Sequence, residues 1–114
     1  MKDMARIPLL FDFYGPLLTE RQQELVRAYY LEDLSLGEIA ESEAVSRQAV
    51  HDLIHRAAAA LTEYEERLGF AAAHVQRQAE LTALAADLEA AGSGTDPHLV
   101  LARDRLRRLL ETPE

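Results

Sequence analysis

Apolar residues fill most of the segment Ile7-Pro8-Leu9-Leu10-Phe11-Asp12-Phe13-Tyr14. Such a run predicts a short helix with an inward face, ending at Gly15-Pro16, a pair that does not continue a helix comfortably. A second helix opens at Thr19, with Gln22 three residues on. In such a capping box, the threonine oxygen and the glutamine side chain each satisfy a free backbone amide. Leu25, Ala28 and Tyr29 are its expected buried stripe. The device recurs at Ser35 and Glu38 before a short third helix, Leu36 to Glu41, with Leu36, Ile39 and Ala40 facing inward. Ser46 caps a fourth helix starting at Arg47.

That fourth helix carries Val50, Leu53, Ala57, Leu61, Tyr64 and Leu68 at spacings of three and four, which predicts one long apolar stripe. Gly69 ends or bends it. An Ala-rich stretch to Ala91 follows, with Val75, Leu81, Leu84 and Leu88. Next come a loop at Gly92-Ser93-Gly94, an N-cap and first-turn proline at Asp96-Pro97, and a last helix from Pro97 to about Leu110. Leu99, Ala102, Leu106 and Leu109 form its stripe. No alternating strand pattern interrupts this period, so the fold class is all-α.

Composition narrows the picture. At 114 residues, 48% hydrophobic and 28% charged, the chain has room for one compact domain or a small domain with an appendage. We divide it into a core, residues 1–68, and a helical C-terminal extension, 69–114. No apolar run approaches the ~20 residues of a bilayer span, so no membrane partner is expected. Zero cysteines exclude disulfides, iron–sulfur clusters, thiol nucleophiles and cysteine-based zinc sites. The start, Met1-Lys2-Asp3-Met4-Ala5-Arg6, lacks the pattern of a secretory signal, which points to the cytoplasm.

Leu34 to Ala60 carries the most information. A short capped helix, a connection through Ser42-Glu43-Ala44-Val45 and a second helix starting at a serine have the spacing of a helix-turn-helix. Ala40 supplies the small residue at the helix crossing and Ala44 the non-bulky residue of the turn. Val45, Val50 and Leu53 are expected to lock the second helix against the first.

Leu18-Thr19-Glu20-Arg21-Gln22, Tyr29 through Ala40 and Val45-Ser46-Arg47-Gln48-Ala49-Val50 resemble region 4 of sigma-70-type transcription factors. Together with Leu10-Phe11-Asp12-Phe13-Tyr14-Gly15 and Tyr64-Glu65-Glu66-Arg67-Leu68, they resemble more closely the YlxM family of small bacterial proteins, over about residues 7–68. The resemblance implies a sigma-region-4-like helix-turn-helix core, a DNA-binding or other role in transcription regulation, and an association with the signal recognition particle pathway. Beyond Leu68 it fades.

Pointing away from the apolar stripe of the fourth helix are Gln48, His51, Asp52, His55 and Arg56, with Arg47 nearer the edge. As a DNA-reading face, Gln48 would read adenine, and Arg47 and Arg56 would grip phosphate or guanine. Ser46 would offer a hydroxyl and a helix-terminal amide to phosphate. The candidate DNA-binding residues are therefore Ser46, Arg47, Gln48, His51, His55 and Arg56. Asp52 is out of keeping, because a carboxylate repels phosphates unless it accepts from a cytosine amine.

Net charge presses the same point. The chain carries −8, and the part up to Glu66 holds 6 basic and 13 acidic residues, a net −7. Phosphate-binding proteins ordinarily present a basic patch. DNA binding is expected to be weak at physiological salt and to strengthen on acidification, when His51 and His55 gain charge. The alternative is an adapter whose acidic surface engages signal-recognition-particle protein or RNA.

His51-Asp52-Leu53-Ile54-His55 has the outline of a zinc-protease motif, but with Asp for Glu and no downstream third ligand, so no metal is expected. Glu41, Glu43, Glu63, Glu65 and Glu66 are expected on solvated faces or in the turn, and no phosphate loop or nucleophile elbow is present. Neither catalysis nor a cofactor is expected. The helices over about 71–91 and 97–110 form a hairpin suited to homodimerisation. Arg103 to Arg108 is the one basic cluster, suited to the helix dipole or to an acidic partner.

Overall fold

Capping decides where the helices of the N-terminal part begin. Thr19 Oγ1 accepts from Gln22 N at 3.1 Å while Gln22 Oε1 accepts from Thr19 N at 3.0 Å. Ser35 and Glu38 repeat the exchange at 3.0 and 2.8 Å, and Ser46 Oγ accepts from Ala49 N at 3.0 Å. Each cap satisfies amides that a helix start leaves without partners.

The computed structural model describes residues 5–91 and 96–111, so the expected glycine-serine loop and the chain's first four residues lie outside the described residues. Among the described residues there are helices and no strand. The α-helices are α1 (Arg6–Tyr14), α2 (Glu20–Val26), α3 (Leu36–Glu43), α4 (Arg47–Leu68), α5 (Phe70–Ala91) and α6 (Pro97–Glu111). A 3₁₀ turn, Gly15–Leu17, follows α1, and a π-helical turn, Arg27–Leu31, follows α2. The all-α expectation holds. The chain divides after Ala71 into two compact units.

In the first unit α4 is the common wall against which α1, α2 and α3 pack. Its inward residues Val50, Ile54, Ala57 and Leu61 meet Leu10 and Tyr14 of α1, Leu25 and Val26 of α2, and Ile39 and Ala40 of α3 in one apolar cluster. Tyr14, Leu10, Leu61, Val26 and Val50 are the largest side chains fully removed from water. Each contributes about 1.5–3 kcal/mol by burial.

Two expected stripes are shifted. Ile54, not Leu53, is the fully buried partner of Val50, while Leu53 and Tyr64 are half-buried and Leu68, in the last turn of α4, is exposed. After α2, Tyr30 is buried where Tyr29 was expected, because the helix widens. Glu32 N donates five residues back to Arg27 O at 2.9 Å, adding a residue to the turn and moving the inward register by one. Val45, expected to lock the turn, is 39% exposed.

Tyr14 and Glu65 join α1, α4 and the start of α5. Tyr14, 1% exposed, donates its hydroxyl to Glu65 Oε1 at 2.5 Å and accepts from Phe70 N at 3.0 Å. Glu65 Oε1 also accepts from Ala71 N at 3.1 Å. Gly69 breaks α4 in the left-handed region, φ +65°, and cannot cap α5 because it has no side chain. The phenol and the carboxylate do so instead. Burial first, and the bond to Glu65 second, raise the Tyr14 hydroxyl above its ordinary pKa, keeping it a donor. Glu65 is thus not the solvated carboxylate expected.

In the second unit α6 turns Leu106 inward, with Leu99, Ala102 and Leu110 half-buried; Leu109, expected in the stripe, is 56% exposed. Asp96 caps α6 by accepting from His98 N at 2.8 Å, with Pro97 at its first position. On α5, Leu81 and Leu88 are half-buried, while Val75 and Leu84 are exposed. Arg103 lies against α5, its Nη2 donating to Leu88 O at 3.2 Å and its Nε standing 3.7 Å from Glu89 Oε1. It therefore satisfies a carbonyl near the end of α5 rather than joining a surface cluster.

Replacing Tyr14 by Phe keeps the packing and removes the hydroxyl. Tyr14→Phe is expected to lower stability by about 1–3 kcal/mol in urea denaturation, with faster hydrogen exchange at Phe70 and Ala71. An unchanged midpoint and unchanged exchange would show that the cap contributes nothing.

Candidate nucleic-acid interface

The turn between α3 and α4 aims the candidate face. Ala44 takes the left-handed conformation, φ 58°, and the amides of Ala44 and Val45 both donate to Ala40 O. This closes α3 with the bonding of a glycine-type cap, although a residue with a Cβ loses roughly 1 kcal/mol there. The expectation of a small residue in the turn thus has its reason in the backbone. Ala40, at the crossing, is 5% exposed. An exposed ion pair between Arg21 and Glu43 ties α2 to the end of α3.

Beyond the turn, Ser46, Arg47, Gln48, His51, His55 and Arg56 are all exposed, together with Asp52. No polar or charged side chain appears among the buried residues described, so none of the seven is spent on the core. At about 100° per residue, Asp52 stands opposite the buried Val50, Ile54, Ala57 and Leu61 stripe. Gln48, His55 and Arg56 surround it, and His51 and Arg47 lie toward the edge.

These side chains are not all idle. The Ser46 oxygen is taken by Ala49 N, which leaves its hydroxyl proton to donate. Gln48, expected to read adenine, gives its amide to Asp52 Oδ1 at 2.9 Å. His51 Nδ1 lies 3.4 Å from the same oxygen, and the His51 and His55 rings stack at 6.1 Å with 7° between their planes. The bond from Gln48 and then the contact with His51 lower the Asp52 pKa, since both favour the charged form. Arg47 lies over the first turn of α3, its Nε 3.7 Å from where a Cβ on Gly37 would be. There it lines an open groove with Ser35, Glu38, Glu41 and Ser42.

The family follows from this fold and from comparison. Residues 1–93 match UPF0122, described as "Putative helix-turn-helix protein, YlxM / p13 like". The chain belongs to this family. The match runs past Leu68, where the resemblance fades in the sequence reading. A UPF0122 protein of Symbiobacterium thermophilum is 74% identical over 77 residues, 68% of this chain and 72% of its own. One of Desulforamulus reducens is 47% identical over 112 residues, 97% and 96% of the two chains. A Listeria monocytogenes relative is 52% identical over 83 residues, 73% and 76%. UPF0122 is a helix-turn-helix family, in keeping with α3 and α4 here.

Among the described residues no cluster of three or more His, Asp and Glu side chains is gathered to hold a metal ion. No described helix is long and apolar enough to cross a membrane.

The Asp52 carboxyl is expected to titrate below the ordinary aspartate range, and Gln48→Ala to return it toward that range. Because the folded value is depressed, Asp52 favours the folded state above its unfolded value, and that contribution disappears as pH falls through the folded value. A carboxyl-shift NMR titration of both proteins checks this; identical curves would remove Gln48 as the cause.

Proposed function

We propose that this UPF0122 protein is a non-catalytic regulator that binds duplex DNA through the outer face of α4. The observation that carries the reading is the capped α3–α4 pair, which turns Ser46, Arg47, Gln48, His51, His55 and Arg56 outward together. Arg47 and Arg56 take phosphate oxygens, Ser46 donates its hydroxyl to a phosphate near the start of α4, and Gln48, His51 and His55 approach base edges. The setting is the cytoplasm, where DNA is reached directly.

Fluorescence anisotropy of labelled genomic-fragment DNA at about 50 and 200 mM salt tests it, because phosphate contacts lose most of their affinity over that range. Saturable binding at the lower salt is expected. Arg47→Ala and Arg56→Ala should each weaken binding across all sequences and reduce the salt slope by about 1. Unchanged binding in both arginine variants would exclude this face.

A homodimer is part of the reading, since helix-turn-helix proteins gain affinity by presenting two recognition helices. Exposed Val75 and Leu84 on α5, with Val100, Leu101 and Leu109 on α6, supply apolar surface for such pairing. Sedimentation equilibrium at micromolar concentration should give twice the 12.8 kDa chain mass; a monomer mass would remove the dimer and leave the α4 reading intact.

One observation favours a second reading. Up to Glu66 there are 13 acidic against 6 basic residues, a surface suited to a basic protein. Silence on DNA, with salt-sensitive binding to signal-recognition-particle protein or RNA in a parallel titration, would make the chain an adapter that keeps the helix-turn-helix as a scaffold.

A further inference from the structure

We infer that Asp52 is the specificity-determining residue of α4 and that it selects cytosine, its carboxylate accepting a hydrogen bond from the exocyclic amine in the major groove. The inference rests on the reading of α4 as the DNA-facing helix and adds what that helix reads.

Position comes first. A recognition helix enters the groove with the side opposite its buried stripe foremost, and on α4 that side is Asp52. The arginines flank this central group, where phosphate rails run, so the carboxylate lies closest to the base edges.

Preorganisation comes second. Gln48 Nε2 and His51 Nδ1 both approach Oδ1, at 2.9 and 3.4 Å. Both contacts fall on that one oxygen, leaving Oδ2 to receive an incoming donor. Gln48 thereby becomes a positioning residue: its amide holds Asp52 in one rotamer, which removes part of the ordering entropy from binding.

The chemistry of the groove then chooses the base. A carboxylate only accepts, and major-groove donors are the amines of cytosine and adenine. Guanine and thymine present acceptors that repel it. Adenine sets its N7 acceptor beside its amine, so an approaching carboxylate gains one contact and meets one repulsion. Cytosine's amine has an acceptor on one side only, O6 of its paired guanine, with the C5 edge on the other, whereas adenine's lies between its own N7 and its thymine's O4.

Asp52 also acts by exclusion. Its charge weakens binding to every sequence in which no amine meets it, so specificity increases at the expense of general affinity. On a face whose fixed charges are Arg47, Arg56 and Asp52, that sacrifice is large enough to measure.

The test is selection from a randomised duplex pool, followed by anisotropy competition among duplexes that differ at single positions. The full-length protein should prefer cytosine at one position by about 5- to 150-fold over the other bases. Asp52→Ala should flatten that position alone while binding random duplex more tightly than the parent protein. Asp52→Asn should move the preference there toward adenine, which an amide side chain contacts with both donor and acceptor. Replacing the selected cytosine by 2-pyrimidinone, which lacks the exocyclic amine, should weaken the parent protein and leave Asp52→Ala unaffected. If the parent protein enriches a sequence and Asp52→Ala enriches the same one with the same cytosine preference, the assignment of Asp52 falls and the DNA-binding reading stands. If the parent protein enriches nothing, both fall.

Discussion

Burial of one stripe on α4 is the constraint on which the rest of the first unit depends. The helices packed along it are short: α1 has 9 residues, α2 has 7 and α3 has 8. Isolated helices below about 12–15 residues are marginal in water, so these form because Val50, Ile54, Ala57 and Leu61 give them something to cover. The helix that organises the core is also the one that faces outward with the candidate reading groups. Its two sides have separate duties, and substitutions on the outer side leave the inner packing untouched.

Much of this was legible in the amino-acid order. Thr19 with Gln22, Ser35 with Glu38, Ser46 and Asp96-Pro97 announce helix starts through local hydrogen bonding, and all appear in the structure. The outward set on α4 follows from helical period alone. The exchange of Tyr29 for Tyr30 was not legible, because the π-helical turn is a backbone choice that neighbouring aromatic residues do not signal. Leu53 and Ile54 are adjacent and similar, so the period allowed either to be the deeper. Glu65 was hidden for a different reason: its partners are Tyr14, far away along the chain, and the backbone amide of Ala71.

Charge gives the candidate face an uncommon balance. Arg47 and Arg56 are opposed on the face by Asp52 and across the groove by Glu38 and Glu41. Binding through phosphates alone would be feeble with so few cations. A face so nearly neutral would gain more from a correct base contact than from general attraction. The bond from Gln48 and the contact with His51 hold the Asp52 carboxylate in place before any partner arrives.

The cap shared by Tyr14 and Glu65 sets a limit on how the gene can be cut. A fragment stopped at Leu68 ends at a natural break in helical period, yet it discards the two amides that the phenol oxygen and the carboxylate accept. Both oxygens would remain at the edge of the core with their backbone partners gone. The smallest excisable piece therefore extends through the first turn of α5. A domain exchange with a relative should place its junction after Ala71, in a stretch where the backbone is helical on either side and the side chains Ala72 and Ala73 are exposed.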